Sequence, residues 1–266
     1  MMDLTPEEKT HSVAILERTT DTHVRRAASR AAAWARGVLP FASRADLVES
    51  LDGDAIERVE LGRNLADLAR LGRLPGGTSA SVAAIQRLAP KATDVSVLDV
   101  GAGRGDMALA FAGRGWRTVA LDSHPEVLRI AHPMLGDRGV DLVDADARAL
   151  PYGEGAFDVT HCSLLIHHLD PADAIAVLRE MTRVARRGVV INDLRRGPLP
   201  FVATGVAVAL LGTCRTTRAD GLASVRRAYT LPELDDLLTE AGLEVVWRST
   251  AFMPRVVTAA VRRTAR

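Results

Sequence analysis

Cysteine and lysine are scarce in this chain. Cysteine occurs only at Cys162 and Cys214, in stretches whose patterns predict a buried strand and a loop. With so few cysteines, we expect neither a disulfide framework nor a cysteine-rich metal site. Their scarcity is compatible with a reducing cytoplasm. Lysine is confined to Lys9 and Lys91, whereas arginine is abundant, which we interpret as a bias of genome composition.

A long hydrophobic run and a strong net charge are also missing. The most apolar stretch, residues 198–212, is shorter than the roughly 20 residues that a membrane-spanning helix needs. The acidic N-terminus has no apolar core of a secretion signal. A formal net charge of +1 argues against a nucleic-acid partner held through its phosphates. We therefore expect a cytoplasmic protein with no membrane span and no nucleic-acid partner.

The chain does have enough apolar residues for a full core, with 266 residues of which 47% are hydrophobic. Helical patterns extend over residues 1–90, beginning at a capping box at Thr5, and predict an N-terminal helical extension. From residue 95 onward, strands alternate with helices, which is typical of a doubly wound, mostly parallel sheet. We predict seven strands, the last two forming an antiparallel hairpin: Val95–Val100, Thr118–Asp122, Val140–Asp144, Phe157–Ser163, Gly188–Asp193, Leu243–Thr250 and Arg255–Val261.

A glycine-rich turn follows the first predicted strand. Its glycines are Gly101, Gly103 and Gly105, with Asp99 just before them. Such a turn exposes backbone N–H groups and a helix N-terminus to a ligand. A dinucleotide site requires the spacing G-x-G-x-x-G, but residue 106 is Asp106. The spacing therefore disfavours a dinucleotide-dependent oxidoreductase.

Three later segments complete a pattern with this turn. Asp122 ends the second strand, 21 positions after Gly101, and Ser123 follows it. Residues 144–152 read DADARALPY, and residues 163–169 read SLLIHHL. Together with the glycine turn, these segments closely resemble the class I S-adenosylmethionine-dependent methyltransferases over residues 95–195.

The resemblance implies a Rossmann-like fold, with S-adenosylmethionine as cofactor and S-adenosylhomocysteine as product. It implies that Asp122 accepts the ribose hydroxyls, that Asp146 and the backbone of Ala147 face the adenine, and that Arg73 holds the methionine carboxylate. The domains would then be a helical cap over residues 1–90 and a cofactor-binding domain over 91–266, with a substrate-covering insertion at 197–228. The remaining expected cofactor contacts are Asp99, Gly101, Ala102, Gly103, Ser123 and Ser163.

Two histidines are candidate catalytic residues. His167 and His168 follow the fourth strand, at the carboxyl edge where open α/β sheets bind ligands. Histidine suits proton removal near neutral pH, although a methyl transfer does not require a base. His161 lies within the strand and is expected to be a core residue, whereas Asn192 and Asp193 are further candidates for acceptor contacts. We predict no metal site.

The acceptor is the least determined feature. No Asn/Asp-Pro-Pro-Tyr tetrad follows the fourth strand, and this absence disfavours amino-nitrogen and nucleic-acid-base acceptors. We expect a small aromatic or hydrophobic acceptor, methylated on oxygen in secondary metabolism. C-methylation of a quinol or polyketide-like ring is the alternative, and a catalytically silent cofactor-binding protein is another. The N-terminal helices are also expected to support a homodimer.

Overall fold

A computed structural model describes residues 41–47, 57–90, 92–249 and 254–264. The chain divides into two compact units, Met1–Ser43 and Arg44–Arg266. In the first unit, the described residues 41–43 form a turn and bends. All elements given below belong to the second unit. The predicted capping box at Thr5 lies outside the described residues.

The second unit is built on a sheet that has seven strands among the described residues. The strand order is β3-β2-β1-β4-β5-β7-β6. The five strands from β3 to β5 are parallel, and β7 runs antiparallel between β5 and β6. The strands are β1 Ser96–Val100, β2 Arg117–Asp122, β3 Asp141–Asp144, β4 Phe157–Ser163, β5 Ala185–Leu194, β6 Leu243–Ser249 and β7 Arg255–Arg262.

Helices cover both faces of this sheet. The α-helices of the described part are α1 Arg58–Leu71, α2 Thr78–Leu88, α3 Asp106–Ala112, α4 Pro125–Leu135, α5 Pro171–Val184, α6 Pro198–Leu211, α7 Arg215–Arg227 and α8 Leu231–Glu240. Short 3-10 turns span Gly136–Arg138 and Ile166–His168. One buried cluster joins the sheet to α5 and α8, and another joins it to α2 and α3.

The seven predicted strands and their antiparallel ending are confirmed, with small shifts at the strand ends. The strands are predictable because buried strands alternate with helices in the sequence, and each strand of a parallel sheet is covered on both faces. The segment Thr230-Leu231-Pro232-Glu233 has the sequence of a capping box and predicts a helix, which the structure confirms as α8. The Thr230 hydroxyl accepts from the Glu233 N–H, and the Glu233 carboxylate accepts from the Thr230 N–H at 2.7 Å.

One prediction about the fold is wrong. Between the apolar stretch and Thr230, the sequence predicts an arginine-containing loop over residues 213–229, but most of this segment forms helix α7. Its N-terminus is held by Asp67 of α1, a fully buried carboxylate that accepts from the N–H groups of Thr213 at 2.6 Å and Cys214 at 3.1 Å. An acid at a helix N-terminus satisfies exposed donors and complements the helix dipole. This stabilisation comes from another helix, so the local sequence does not predict it.

Helix α6 is the most apolar helix. It packs against α7, where a Cβ on Gly221 would come within 2.9 Å of Val208, so the two backbones approach closely. Its other face carries exposed apolar side chains, among them Val202 and Val206. Across the described ranges, the structure contains no helix that is both long enough and apolar enough to cross a membrane.

Candidate active site

A cavity of about 450 Å³ opens at the carboxyl edge of the sheet. Its floor is formed by the turns after β1, β2, β4 and β5, and helices α1, α6 and α7 close over it. This is the position at which open parallel sheets bind ligands. We call these three helices the lid.

The glycine turn after β1 forms one wall. Gly101 (φ +65°) and Gly103 (φ +57°) line the cavity in a left-handed conformation that other residues rarely adopt. A Cβ on Gly103 would point into open space, with Leu65 of the lid at 3.9 Å as its neighbour. A Cβ on Gly105 would lie 2.5 Å from Leu135. Gly103 therefore leaves room for a ligand, whereas Gly105 lets α3 pack against α4. A Cβ on Gly101 would lie 3.0 Å from the Leu165 side chain, so Gly101 allows Leu165 to approach the turn closely.

Asp122 lies beside this turn at the end of β2, as predicted. Its Oδ2 accepts from the Gly103 N–H at 2.9 Å, and its Oδ1 accepts from the His124 N–H at 3.0 Å. A carboxylate has about four acceptor positions, so two ligand hydroxyls can still bind. Ser123 also lines the cavity. His124 does too, and its buried Nδ1 has no hydrogen-bond partner among the described residues. No motif in the sequence points to His124.

Asp99 lines the cavity but also belongs to a buried polar network. Its Oδ1 lies 2.7 Å from His161 Nδ1, and His161 Nε2 lies 2.9 Å from the Ser81 hydroxyl. Asn192 donates to the same hydroxyl at 2.8 Å and to the Gly77 carbonyl at 3.1 Å. His161 is thus a core residue, as expected. The structure places Asn192 in this network below α2 and not in the cavity wall, so the expected acceptor contact is not seen.

The segment expected to face the adenine, residues 144–152, lies only partly at the cavity. Ala147 lines it, as does Ala102 of the glycine turn. Asp146 does not line it, and its carboxylate forms an ion pair with Arg148 at 2.7 Å. The hydrogen bond and charge of Arg148 hold the pKa of Asp146 below its ordinary value. Arg73 is exposed and also lies outside the cavity wall. The cofactor roles of Asp146 and Arg73 therefore stay predictions.

His167 reaches the cavity from the 3-10 turn after β4. Its Nδ1 lies 2.5 Å from Oδ1 of Asp193, and its backbone N–H donates to Oδ2 of Asp193 at 3.1 Å. Both side chains are buried. Burial favours a higher pKa for Asp193, but the charge and hydrogen bond of His167, with backbone N–H groups, keep that pKa below its ordinary value. Asp193 therefore acts as an ionised partner that orients the His167 ring.

The turn that carries His167 is held firmly from outside the cavity. The carbonyls of His167, His168 and Leu169 accept from Arg44 (2.7 Å), Arg227 (2.8 Å) and the Tyr229 hydroxyl (2.7 Å), respectively. The His168 ring stacks on His167 with centroids 4.2 Å apart, and His168 also lines the cavity.

Strain marks the start of this turn. Leu164 has φ +55°, and no other non-glycine residue in the described ranges has a positive φ. Such strain persists where the surroundings hold it, often at functional sites.

The lid wall is mainly apolar. Helix α6 contributes Ala203, Ala207 and Val208. Two buried polar atoms interrupt this surface, the Asn64 amide oxygen and the Thr204 hydroxyl, and neither has a hydrogen-bond partner among the described residues. Buried polar atoms without partners are costly, so they are natural contacts for a polar group on a ligand.

One charged residue in the wall was not expected from the sequence. Arg255, the first residue of β7, lines the cavity and donates to the Ser163 hydroxyl at 3.4 Å. Burial lowers its pKa to about 10, partly opposed by the charge of Asp193. Arg104 lies in the same wall and forms a 2.8 Å ion pair with Asp106. The only sequence signal for Arg255 is a charge at the start of a mainly apolar strand.

Comparison with known proteins agrees with this geometry. The family described as "Methyltransferase domain" matches residues 97–188. An uncharacterized methyltransferase from Synechocystis sp. is 30% identical over 152 residues, which cover 56% of this chain and 67% of that protein. The chain belongs to the class I S-adenosylmethionine-dependent methyltransferases. The glycine turn and Asp122 lie within the matched region of this methyltransferase.

Two further relatives extend the comparison. A ubiquinone/menaquinone biosynthesis C-methyltransferase from Hahella chejuensis is 32% identical, with 56% of this chain and 66% of that protein covered. The crystal structure of a SAM-dependent methyltransferase from Aquifex aeolicus matches the fold with a TM-score of 0.54 at 17% identity, covering 77% of this chain and 98% of that one. This methyltransferase covers 36% to 67% of the length of the first curated relatives, so the similarity extends over only part of several of them.

Proposed function

We propose that this methyltransferase transfers a methyl group from S-adenosylmethionine to the oxygen of a small aromatic or hydrophobic acceptor that bears a hydroxyl group. One observation carries the proposal: a single cavity joins the glycine turn and Asp122 to the oriented His167 and to an apolar lid. The residues that would hold the cofactor, a candidate base and an apolar acceptor site therefore line one cavity.

The residues present fit the cofactor. The open space at Gly103 admits a ligand against the backbone, and Asp122 retains acceptor positions for ribose hydroxyls. Gly101, Ala102 and Ser123 would complete this side of the site. When bound, S-adenosylmethionine supplies a methyl group that its positively charged sulfur already activates, and it leaves as S-adenosylhomocysteine.

His167 is the proposed proton acceptor. Because Nδ1 faces the ionised Asp193, the favoured tautomer carries its proton on Nδ1 and its lone pair on Nε2. Nε2 would take the proton of the acceptor hydroxyl, and Asp193 would stabilise the resulting imidazolium. The bond gained between the hydroxyl oxygen and the methyl carbon would replace the sulfur–methyl bond of the cofactor, whose electron pair would stay on the sulfur. The lid excludes water and aligns the acceptor, which contributes strongly to a reaction of this kind.

C-methylation is the second candidate, because the Hahella relative is named as a C-methyltransferase. Removal of a phenolic proton places negative charge on the oxygen and on the ring carbons beside it. The same His167 and Asp193 pair would therefore serve either reaction. The position of the acceptor in the cavity would decide which atom is methylated.

A labelled methyl-transfer screen tests the proposal. The purified chain is incubated with S-adenosylmethionine labelled in its methyl group and a panel of phenols, carboxylates and quinols, and NMR locates the methyl group on any product. We expect an O-methylated product from at least one hydroxylated aromatic acceptor. A ring-methylated product would support the second candidate. Binding of S-adenosylhomocysteine without any transfer would support a catalytically silent protein and contradict the proposal.

A further inference from the structure

Arg255 places a buried positive charge in the acceptor part of the cavity. It is 9% exposed, and its guanidinium group reaches Ser163 at the end of β4. Since β5 lies between β4 and β7, the side chain crosses the carboxyl end of β5 to make this contact. It therefore lies on the side of the cavity that also contains His167, whose turn follows β4.

This charge has no carboxylate partner within ion-pair distance among the described residues. The nearby Asp193 is already engaged, because Oδ1 accepts from His167 Nδ1 and from the Leu194 N–H at 2.7 Å, and Oδ2 accepts from the His167 N–H. Arg104, by contrast, is paired with Asp106. A guanidinium group has five N–H donors, and the contact of Arg255 with Ser163 uses one of them.

We propose that Arg255 and the Ser163 hydroxyl form a subsite for a carboxylate group on the methyl acceptor, so that the acceptor is a hydroxyaryl carboxylic acid. A carboxylate matches the planar fork of a guanidinium group and compensates a buried charge that an uncharged acceptor leaves unpaired. The apolar lid would hold the ring, and His167 would face its hydroxyl. This inference rests on the proposed methyl-transfer function.

The carboxylate of the cofactor is the other anion that could reach the cavity. The glycine turn follows β1, and the sheet order places β4 and β5 between β1 and β7. Arg255 thus enters the cavity from the β7 side, and its guanidinium group reaches Ser163 on β4, the strand next to β1. Asp122 lies on the other side of the glycine turn, at the end of β2. We assign its ligand to the acceptor, and the experiment below separates the two sources.

The test measures binding by calorimetry. The probes are 3-hydroxy-2-naphthoate, 4-hydroxybenzoate and 4-hydroxycinnamate, each paired with its uncharged amide. They are titrated into the full chain with and without S-adenosylhomocysteine. At least one carboxylate should bind about 10- to 100-fold more tightly than its amide, and Arg255→Met should abolish that preference. Arg255→Lys should retain part of it.

Arg262→Met is the matched control, since Arg262 lies on the same strand, is exposed and pairs with Glu154. It should leave the preference unchanged. Equal affinity within every pair, binding by no carboxylate, or a preference that survives Arg255→Met overturns the subsite. Weaker binding of S-adenosylhomocysteine, but not of methylthioadenosine, to Arg255→Met would assign Arg255 to the cofactor carboxylate and also overturn it.

The proposed function can be contradicted without deciding the test of the Arg255 subsite. If wild-type protein does not bind S-adenosylhomocysteine, methyl transfer is contradicted. The titrations without that compound still test whether Arg255 binds the carboxylates. Circular dichroism of each variant confirms that lost binding does not reflect unfolding.

Discussion

Nδ1 of His167 lies 2.5 Å from Oδ1 of Asp193, and both side chains are buried where the turn after β4 meets the end of β5. The two residues are 26 positions apart and lie on adjacent strand ends only because β4 and β5 are parallel neighbours. This relationship gives a methyltransferase cavity an oriented candidate base.

Asp193→Asn tests that relationship. Loss of the carboxylate removes the charge that stabilises the protonated ring and allows the other tautomer. We expect kcat to fall by about 10²- to 10⁴-fold, with little change in KM. Steady-state kinetics with an acceptor found in the labelled screen measures both. Asp236→Asn, on an exposed position of α8, is the control. An unchanged kcat would exclude a base oriented by Asp193.

Two glycines of the same turn should respond differently to alanine. In Gly105→Ala, the added Cβ would lie 2.5 Å from Leu135 in a left-handed conformation, so we expect a loss of about 2–4 kcal/mol in the free energy of unfolding. Gly103→Ala has open space around it. It should lose only about 1 kcal/mol of stability but bind S-adenosylhomocysteine more weakly. Urea unfolding and calorimetry measure the two effects, and a reversed order would contradict our assignment of the turn.

The two faces of α6 offer a matched pair of lid variants. Ala207 lines the cavity, whereas its neighbour Val206 is 55% exposed. Ala207→Glu should raise the acceptor KM by about tenfold or more, because a carboxylate would enter apolar space. Val206→Glu should leave KM unchanged. Equal KM values for the two variants would show that α6 does not cover the acceptor. Val202 lies on the exposed face of the same helix and is not suitable for this test.

Protonation of Asp158 should account for part of the loss of folding stability at low pH. Burial favours a higher pKa, but Ser96, Arg187 and Arg186 outweigh it and lower the pKa of Asp158 to about 2, from an ordinary value of 3.8. A depressed pKa stabilises the folded state fully above about pH 4, and this contribution is lost as pH falls toward 2. It corresponds to about 2 kcal/mol. Asp158→Asn should flatten the pH dependence of urea unfolding in that window, and an unchanged slope would contradict the assignment.

Much of the fold follows from local sequence signals. Buried strands, the glycine turn and the Thr230 capping box each depend on neighbouring residues, and the structure confirms them. Helix α7 was missed because its stability depends on Asp67 of another helix and on close packing between Gly221 and Val208. Contacts of this kind depend on the tertiary arrangement, which local patterns do not contain.

The candidate site was predictable to a similar degree. Asp122 and His167 lie at the ends of strands that the sequence identifies, so both were placed correctly at the cavity. Asn192 and Asp193 are adjacent on β5, but alternate side chains face opposite sides of a strand, and only Asp193 contacts His167. Arg255 reaches the site because β7 returns antiparallel beside β5, which brings the start of β7 to the carboxyl edge.

Calorimetric titration of S-adenosylhomocysteine into the wild-type chain and Asp122→Ala tests the central claim most directly. We predict one binding site per chain, with affinity weakened by about 1–3 kcal/mol in Asp122→Ala because charge-assisted hydrogen bonds are lost. Asp137→Ala, at an exposed position, should bind like the wild type. No binding by the wild-type chain, or equal binding by Asp122→Ala in its folded form, would contradict a cofactor site at the glycine turn.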